Sequence, residues 1–388
     1  MNRILVAIAT LMFLPLLGLI SQLIPLEGSG IINGTSNDNL THLWEYLLRS
    51  YIVDTLKLIV GVSIGVFILG VGNAWLVVNY QFPCRKIMEL FLIAPLAVPS
   101  YVMAYLIVDL FQYAGPIQTG FRIYLGVNAL WFFPDPRSLM GAIWTFSFCL
   151  YPYVYLITRS QFIEQSSRLM EVSESLGYSQ KKSFFRLALP MARPAIIAGM
   201  ALVLMEVLAD YGAVSYFGVH TISTAIFKAW LSLGDRVTAI ELALGLLLIV
   251  IVVFCIEQMS RSNIRYGNHR RSPRLVKQLD GVYAILGVGF TGGTVLIGFA
   301  LPLFLLLQSA YQHGFQADPN YLYWLENSLL ISSITAFISV MLAVGFTYAV
   351  REKKNLSWIN KLLGFGYAIP GTVVAIGILS FLKLFQLA

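Results

Sequence analysis

The sequence has 388 residues, of which 58% are hydrophobic and only 12% are charged, and its mean hydropathy is +0.76. An average soluble domain carries about 25% charged residues, because a folded chain in water needs a polar surface. This composition excludes a soluble enzyme, a disordered chain and a disulfide-rich secreted domain, and it predicts an all-α polytopic membrane protein.

Nine apolar runs predict membrane-spanning helices. In chain order they lie near residues 4–24, 53–79, 87–112, 139–158, 194–213, 237–257, 281–308, 327–350 and 361–383. The first run follows Arg3 but is too long for the apolar core of a signal peptide, and no Ala-x-Ala cleavage site closes it. We therefore expect an uncleaved first span.

Lys and Arg residues are concentrated in alternate loops. All 26 of them lie on one predicted side of the membrane except Arg49, Lys57, Arg122, Arg137, Lys228, Arg236 and Lys383. Because basic loops are retained in the cytoplasm, the N-terminus and the long 159–193 loop are predicted to be cytoplasmic. The net charge of +7 then reflects topology in a lipid bilayer, and no nucleic acid partner is expected.

Residues that bind metals or nucleotides do not form recognisable sites. The three cysteines have no CxxC spacing, and the four histidines are isolated from one another. The phosphate-binding pattern G-x-x-x-x-G-K-[ST] does not occur in the sequence. We therefore expect no metal site, no bound cofactor and no ATPase site in this chain.

An internal repeat is indicated by two pairs of similar segments. Leu96–Ala104 resembles Tyr367–Ala375, with an Ala-x-Pro step before an apolar helix in each. Upstream, Asp54–Leu56 and Asn327–Leu329 each open a long apolar helix. An even number of predicted spans separates the copies, which predicts parallel halves.

The repeat predicts two domains. Residues 1–275 would form a first repeat of six helices, and residues 276–388 a partial second repeat of three. The counterpart of the 159–193 loop would fall beyond Ala388, so we expect the second copy to be incomplete.

The 159–193 loop contains a predicted pair of short helices. Glu171–Leu176 has good helix formers, and Gly177 can adopt the positive φ that ends a helix. Ser179 can cap a second helix, Gln180–Leu187, before Pro190 stops it. This second helix is predicted to present a knob to a groove of another protein, with Phe184, Phe185 and Leu189 on one side and Lys181, Lys182 and Arg186 on the other.

The spacing Glu-(x)5-Gly-(x)9-Leu-x-Leu-Pro in this loop resembles the EAA loop of bacterial ABC-importer permeases. In that family the loop forms the coupling helix that sits in the ATPase subunit. Val172 and Ser173 stand where the family pattern has two alanines. The resemblance implies a type I ABC-importer permease fold, with the coupling role carried by Glu171, Glu174, Gly177, Leu187, Leu189 and Pro190.

The segments Glu206–Gly218 and Thr224–Trp230 resemble the fused ferric iron permeases of the FbpB/SfuB type, which carry two EAA loops in one chain. This resemblance covers essentially the whole sequence. It implies an importer of ferric iron in the bacterial inner membrane, with a cytoplasmic ABC ATPase dimer and a periplasmic substrate-binding protein as partners. The chain would be a transport subunit and not an enzyme, since the partner subunit would use the ATP.

Glu206 and Asp210 are candidate pathway residues for a cationic cargo. They lie four residues apart toward the outer half of the fifth predicted span, and a carboxylate in the bilayer is costly unless it has a function. The competing interpretation places Asp210 at the interface and gives Glu206 a bond to neighbouring helices.

Two other functions stay open from the sequence. One is a permease of the same class for thiamine, a polyamine or an oxyanion. The other is an ion-coupled secondary transporter in which Glu206 and Asp210 relay protons or sodium ions.

Overall fold

The computed structural model describes residues 13–21, 48–126, 135–164, 175, 177–261, 276–313, 318–352, 364 and 366–384. These residues are almost entirely helical, which confirms the prediction of an all-α membrane protein. The chain divides into two compact units, one of residues 33–304 and the other of residues 1–32 with 305–388.

The larger unit carries the helices that position the candidate site. Several of them contain a π turn, in which an extra residue widens the helix. In chain order they are α2 (Arg49–Val66, π turn Phe67–Val71, Gly72–Asn79), α3 (Arg85–Phe91), α4 (Ser100–Phe111), α5 (Pro116–Leu125), α6 (Leu139–Glu164), α7 (Gln180–Ser183, π turn Phe184–Ala188, Leu189–Ala209), α8 (Gly212–Tyr216), α9 (Ile222–Phe227, π turn Lys228–Ser232), α10 (Arg236–Arg261) and α11 (Val282–Val295, π turn Leu296–Ala300, Leu301–His313).

Among the described residues, six helices are long and apolar enough to cross a membrane, or seven if one bent pair is counted as a span. The six are Arg49–Asn79, Leu139–Glu164, Lys181–Ala209, Arg236–Ser260, Val282–Gln312 and Tyr321–Ala349. Nine spans were predicted. The first of these lies mostly outside the described residues, and the last contains only the shorter apolar helix Gly371–Leu382.

The span predicted at residues 87–112 is a helix that is broken at its centre. Arg85–Ala97 and Ser100–Tyr124 meet at an angle of 98°. Pro99 has φ −58° and ψ 143°, so it leaves the helical conformation immediately before α4. Proline lacks the N–H that would continue the ladder, and it favours an extended residue before it, which explains the break.

Close packing of α2 on α6 forms part of the core of the larger unit. A Cβ atom at Gly65 would lie 2.0 Å from the Ser147 hydroxyl, and one at Gly70 would lie 2.8 Å from Cβ of Val154. These glycines allow the backbones of the two helices to approach, as small residues do in membrane helix pairs. The α6 side of the core contains the fully buried Tyr151 and Tyr155.

A two-residue strand pair joins the ends of α2 and α11 in this unit. Tyr80–Gln81 (β1) pairs in parallel with Lys277–Gln278 (β2), in the register Tyr80 to Lys277. The Leu279 N–H also donates to the Gln81 carbonyl at 2.9 Å, which extends the pairing by one bond.

The smaller unit contains α1 (Leu14–Ser21), α12 (Tyr321–Glu352) and α13 (Gly371–Leu384). The α1 and α13 helices pack closely, since a Cβ at Gly377 would lie 2.2 Å from the Pro15 carbonyl oxygen.

The start of α13 repeats the local geometry of the start of α4. Val373 and Val374 donate to the Pro370 carbonyl at 3.0 and 3.2 Å, while Val102 and Met103 donate to the Pro99 carbonyl at 3.0 and 3.1 Å. The two Ala-x-Pro steps therefore start helices in the same way. The division into repeats at 1–275 and 276–388 stays a prediction.

Candidate functional site

Gly177 ends the first part of the predicted coupling loop. It has φ +72°, it is exposed, and a Cβ built on it would meet no atom within 4 Å. The requirement for glycine is therefore conformational and not steric, because residues with a Cβ disfavour the left-handed region. Glu171 and Glu174 lie outside the described residues.

Ser179 caps the helix that follows, as predicted. The Lys182 N–H donates to the Ser179 hydroxyl at 3.4 Å, and the Ser183 N–H donates to its carbonyl at 2.9 Å. These bonds satisfy amide groups that lack partners at the start of a helix. They fix the direction in which α7 leaves the loop.

Phe184 anchors this helix to the rest of the larger unit. Its ring lies 4.7 Å from the ring of Trp75 in α2, measured between centroids, and Trp75 contacts Phe162 of α6 edge to face at 5.4 Å. Trp75 and Phe162 are both buried. These packed rings connect the loop helix to two membrane helices, α2 and α6.

Phe185 differs from Phe184 in exposure, although the two rings contact each other edge to face at 4.9 Å between centroids, so the predicted common apolar side is only partly buried. The Phe185 side chain is 64% exposed, and Lys181, Lys182 and Arg186 around it are exposed as well. Of the two contacting rings, that of Phe184 reaches Trp75, and that of Phe185 lies at the surface. We call Lys181, Lys182, Phe185 and Arg186 the basic knob.

Pro190 does not stop the loop helix, contrary to the prediction. The helix continues from Gln180 through the π turn Phe184–Ala188 into Leu189–Ala209, with Pro190 in its first turn. Proline has no N–H for the preceding turn, and the wider π turn accommodates that loss. The helix therefore connects the basic knob to the membrane segment without a break. Along this connection, the side chains of Leu187, Leu189 and Pro190 are half-buried.

Asp210 closes the opposite end of α7. Its two carboxylate oxygens accept from the Ala213 N–H at 2.8 Å and from the Ser100 hydroxyl at 2.5 Å. These bonds join the end of α7 to the start of α8 and to the first residue of α4 after the Pro99 break. We call Asp210, Ser100 and Ala213 the Asp210 junction.

Glu206 and Asp210 lie at the end of α7 and are joined by a hydrogen bond from the Asp210 N–H to the Glu206 carbonyl at 3.0 Å. Glu206 is half-buried in the last turn of α7, whereas Asp210 has ψ 125° and lies beyond the helix end. The hydrogen bonds of Asp210 at the helix end agree with the interpretation that places this residue at the interface. The pathway role of both carboxylates stays a prediction.

Two clefts on the predicted outer side were missed by the sequence reasoning. One, of 380 Å³, brings together α2, the α8–α9 turn and α9, and includes Tyr51, His220 and Lys228. The other, of 510 Å³, is lined by Tyr101, Val102, Tyr105, Gly212 and Tyr216. No spacing pattern joins these residues, because only the packing of distant helices brings them together.

The described part of the chain holds no group of three or more His, Cys, Asp or Glu residues arranged for a metal ion. Of its three cysteines, Cys149 is buried in α6, and Cys84 and Cys255 are exposed. The candidate site therefore consists of the exposed basic knob at one end of α7, anchored by Phe184, and the hydrogen-bonded Asp210 junction at the other end.

The sequence that forms this site matches a known protein family. The model of the binding-protein-dependent transport system inner membrane component matches residues 61–266, which include the basic knob and the Asp210 junction. The chain belongs to this family. It is therefore an inner-membrane permease of the ABC-importer class, as the EAA-type spacing predicted.

Individual relatives carry different cargo names. The Fe(3+)-transport system permease protein FbpB 2 of Haemophilus influenzae is 28% identical over 88% of this chain, which spans 66% of that relative, just under two thirds. The sulfate transport permease CysT of Escherichia coli is 25% identical over 54% of the chain and 70% of its own length. The molybdenum transport permease ModB of Escherichia coli is 26% identical over 45% and 71%.

Proposed function

We propose that this permease moves ferric iron across the inner membrane, driven by a cytoplasmic ABC ATPase dimer and supplied by a periplasmic substrate-binding protein. The observation that carries the ATPase partnership is the contrast between neighbouring side chains, Phe184 packed on Trp75 and Phe185 exposed among three cations. The cargo is supported by the similarity to FbpB 2, which extends over 88% of the chain.

The geometry suggests how ATPase closure would reach the membrane. An acidic groove on the ATPase would hold the basic knob by charge and by the exposed Phe185 ring. Closure of the dimer would displace the knob, and Phe184 would pass the displacement to Trp75 and Phe162. Nucleotide would thus bias the permease between outward-open and inward-open states.

The permease itself performs no covalent chemistry in this proposal. ATP hydrolysis takes place in the partner subunit, and the chain binds no cofactor. The loaded binding protein would dock on the predicted outer side, where the two clefts open.

An oxyanion is the second candidate cargo, because sulfate and molybdenum permeases match the same central region. A proton or sodium relay is less well supported by the geometry. Asp210 already accepts two hydrogen bonds within the protein, which holds its carboxylate in a structural role.

The test compares chromosomal Gly177→Asp with Gly234→Asp. Gly234 is a matched control because it is exposed, has φ +67° and has open space around its Cβ position, but lies on the predicted outer side. Aspartate tolerates the left-handed conformation better than most residues, so the new charge beside the basic knob is the main change. We expect ATPase co-purification to fall about tenfold or more in Gly177→Asp only.

Uptake of radiolabelled ferric iron by iron-starved cells tests the cargo. Loss of uptake in Gly177→Asp, with the protein still in the membrane, would support both parts of the proposal. Normal ATPase association and normal uptake in that variant would refute the coupling role. Lost ATPase association with unchanged iron uptake would refute the iron assignment alone, and sulfate and molybdate uptake would then be measured.

A further inference from the structure

A cluster of hydrogen-bond donors lies beside the predicted cytoplasmic ends of α3 and α6. Arg85 begins α3 and donates to the Gln81 side chain at 2.9 Å, while Arg159 of α6 forms an ion pair with Glu89 of α3. Tyr155 and Thr158 stand on the same stretch of α6 and are fully buried. We call Arg85, Tyr155, Thr158 and Arg159 the donor cluster.

The donor cluster has more donors than acceptors. Among the described residues, the Tyr155 and Thr158 hydroxyls and the Nε atoms of both arginines have no hydrogen-bond partner. Glu89 lies one turn after Arg85 on α3, and its ion pair with Arg159 brings this helix to the stretch of α6 that carries Tyr155 and Thr158. Buried donors are almost always satisfied in folded proteins, and this shortage indicates a ligand rich in acceptor oxygens.

The charge of the cluster agrees with an anionic ligand. Arg85 and Arg159 carry two positive charges, and Glu89, which is paired with Arg159, carries one negative charge, so the net charge of these three residues is positive. The Arg159 side chain is 31% exposed and that of Glu89 is 24% exposed, so the cluster opens to the surface of the larger unit. Guanidinium groups match the geometry of phosphate oxygens through paired hydrogen bonds.

The surroundings favour a lipid over a soluble anion. Ile87, Leu90 and Phe91 on the same short helix α3 are 60%, 69% and 40% exposed. An acyl chain would cover such apolar side chains, whereas free phosphate would leave them unchanged. The inner leaflet is also the side that carries anionic headgroups.

We propose that the donor cluster binds the phosphate headgroup of an anionic phospholipid of the inner leaflet. Arg85 and Arg159 contact the phosphate oxygens, the Tyr155 and Thr158 hydroxyls complete the donor set, and the acyl chains lie along the exposed apolar residues of α3. The bound lipid would hold α3 against α6 close to the loop that carries the basic knob. This site is independent of the identity of the transported cargo.

The experiment uses the full-length protein, purified in detergent and stripped of lipid. Native mass spectrometry and thermal unfolding are recorded with phosphatidylglycerol, phosphatidylcholine or inorganic phosphate. Arg85→Gln removes one charge and leaves the Arg159–Glu89 pair intact, and Tyr155→Phe removes only a hydroxyl. Lys86→Gln is the matched control, because Lys86 is the exposed neighbour of Arg85 and loses the same charge.

We expect wild type to retain phosphatidylglycerol and to unfold at a higher temperature with it than with the other two additives. Arg85→Gln and Tyr155→Phe should bind it about tenfold more weakly, as expected for the loss of one charge-assisted or buried hydrogen bond, and Lys86→Gln should match wild type. Equal binding of phosphatidylglycerol and phosphatidylcholine would overturn the proposal, and so would wild-type binding by both Arg85→Gln and Tyr155→Phe. In either case water would be the partner of the donor cluster. Equal stabilisation by inorganic phosphate would overturn the lipid assignment. If Arg85→Gln fails to fold, Tyr155→Phe decides the outcome.

Discussion

The two ends of α7 differ in where their polar groups find partners. At the loop end the three cations of the basic knob are exposed, and the Phe184 ring packs against Trp75. At the other end both carboxylate oxygens of Asp210 accept bonds from neighbouring segments of the same unit. The exposed charges of the basic knob are available to a partner protein, whereas the Asp210 junction holds together helices of this chain.

At the loop end, different residues would bind the partner and stabilise the fold. At the Asp210 junction, one side chain would serve both function and stability. In the loop helix, Phe184 packs on Trp75 whereas the adjacent Phe185 is exposed, so the two substitutions should differ in their effect on stability even though the rings contact each other. At the Asp210 junction, a single side chain supports two segments, and any substitution affects folding first. Variants at the two ends should therefore fail in different ways.

The largest effect is expected for Phe184→Ala. Removal of the ring leaves a space against Trp75, and the free energy of unfolding should fall by about 2–4 kcal/mol, somewhat less than for a fully buried phenylalanine. Phe185→Ala, the matched variant, should lower the free energy of unfolding by only about 0.5–1 kcal/mol, because that side chain is 64% exposed and loses its edge-to-face contact with Phe184. Denaturant unfolding in detergent measures both.

ATPase co-purification should reverse the order of these two variants in well-folded samples. Phe185→Ala loses the exposed ring of the basic knob and should weaken ATPase binding about tenfold, as a surface aromatic in an interface does. If Phe185→Ala destabilises the protein while Phe184→Ala does not, the assignment of anchor and contact is the wrong way round.

Local chemistry in the loop was predictable from the sequence. The positive φ of Gly177 and the cap by Ser179 each depend on one residue and its near neighbours, so the pattern alone sufficed. The apolar runs likewise predicted the membrane helices, because length and hydropathy decide them.

Features that depend on packing or on several prolines were not predictable in the same way. Pro99 breaks its span, whereas Pro190 lies within a continuous helix beside a π turn, although the two residues look alike in sequence. The donor cluster and the two outer clefts unite residues from distant helices. Only tertiary contacts distinguish these cases.

The Asp210 junction is tested by a pair of substitutions. Asp210→Ala removes both accepted bonds and leaves the Ala213 N–H and the Ser100 hydroxyl without this partner, so the free energy of unfolding should fall by about 1–3 kcal/mol. Asp210→Asn keeps one carbonyl acceptor and should lose about half as much. Iron uptake measured beside unfolding separates the roles. Lost uptake with unchanged stability in Asp210→Asn would instead support a cargo contact.

The smallest effect is expected for the helix caps, and it should differ between the Ser179 cap of α7 and the Thr221 cap of α9. Ser179 is exposed, so Ser179→Ala should cost about 0.5–1 kcal/mol because water can replace the lost bond to Lys182. Thr221 caps α9 in a reciprocal pair with Thr224 and is only 4% exposed, so Thr221→Ala should cost about 1–2 kcal/mol. Hydrogen exchange at Lys182 and Thr224 reports the two caps separately. Equal protection losses would mean that burial does not distinguish the Ser179 cap of α7 from the Thr221 cap of α9, and the contrast between the loop side and the opposite side would then rest on the charged residues alone.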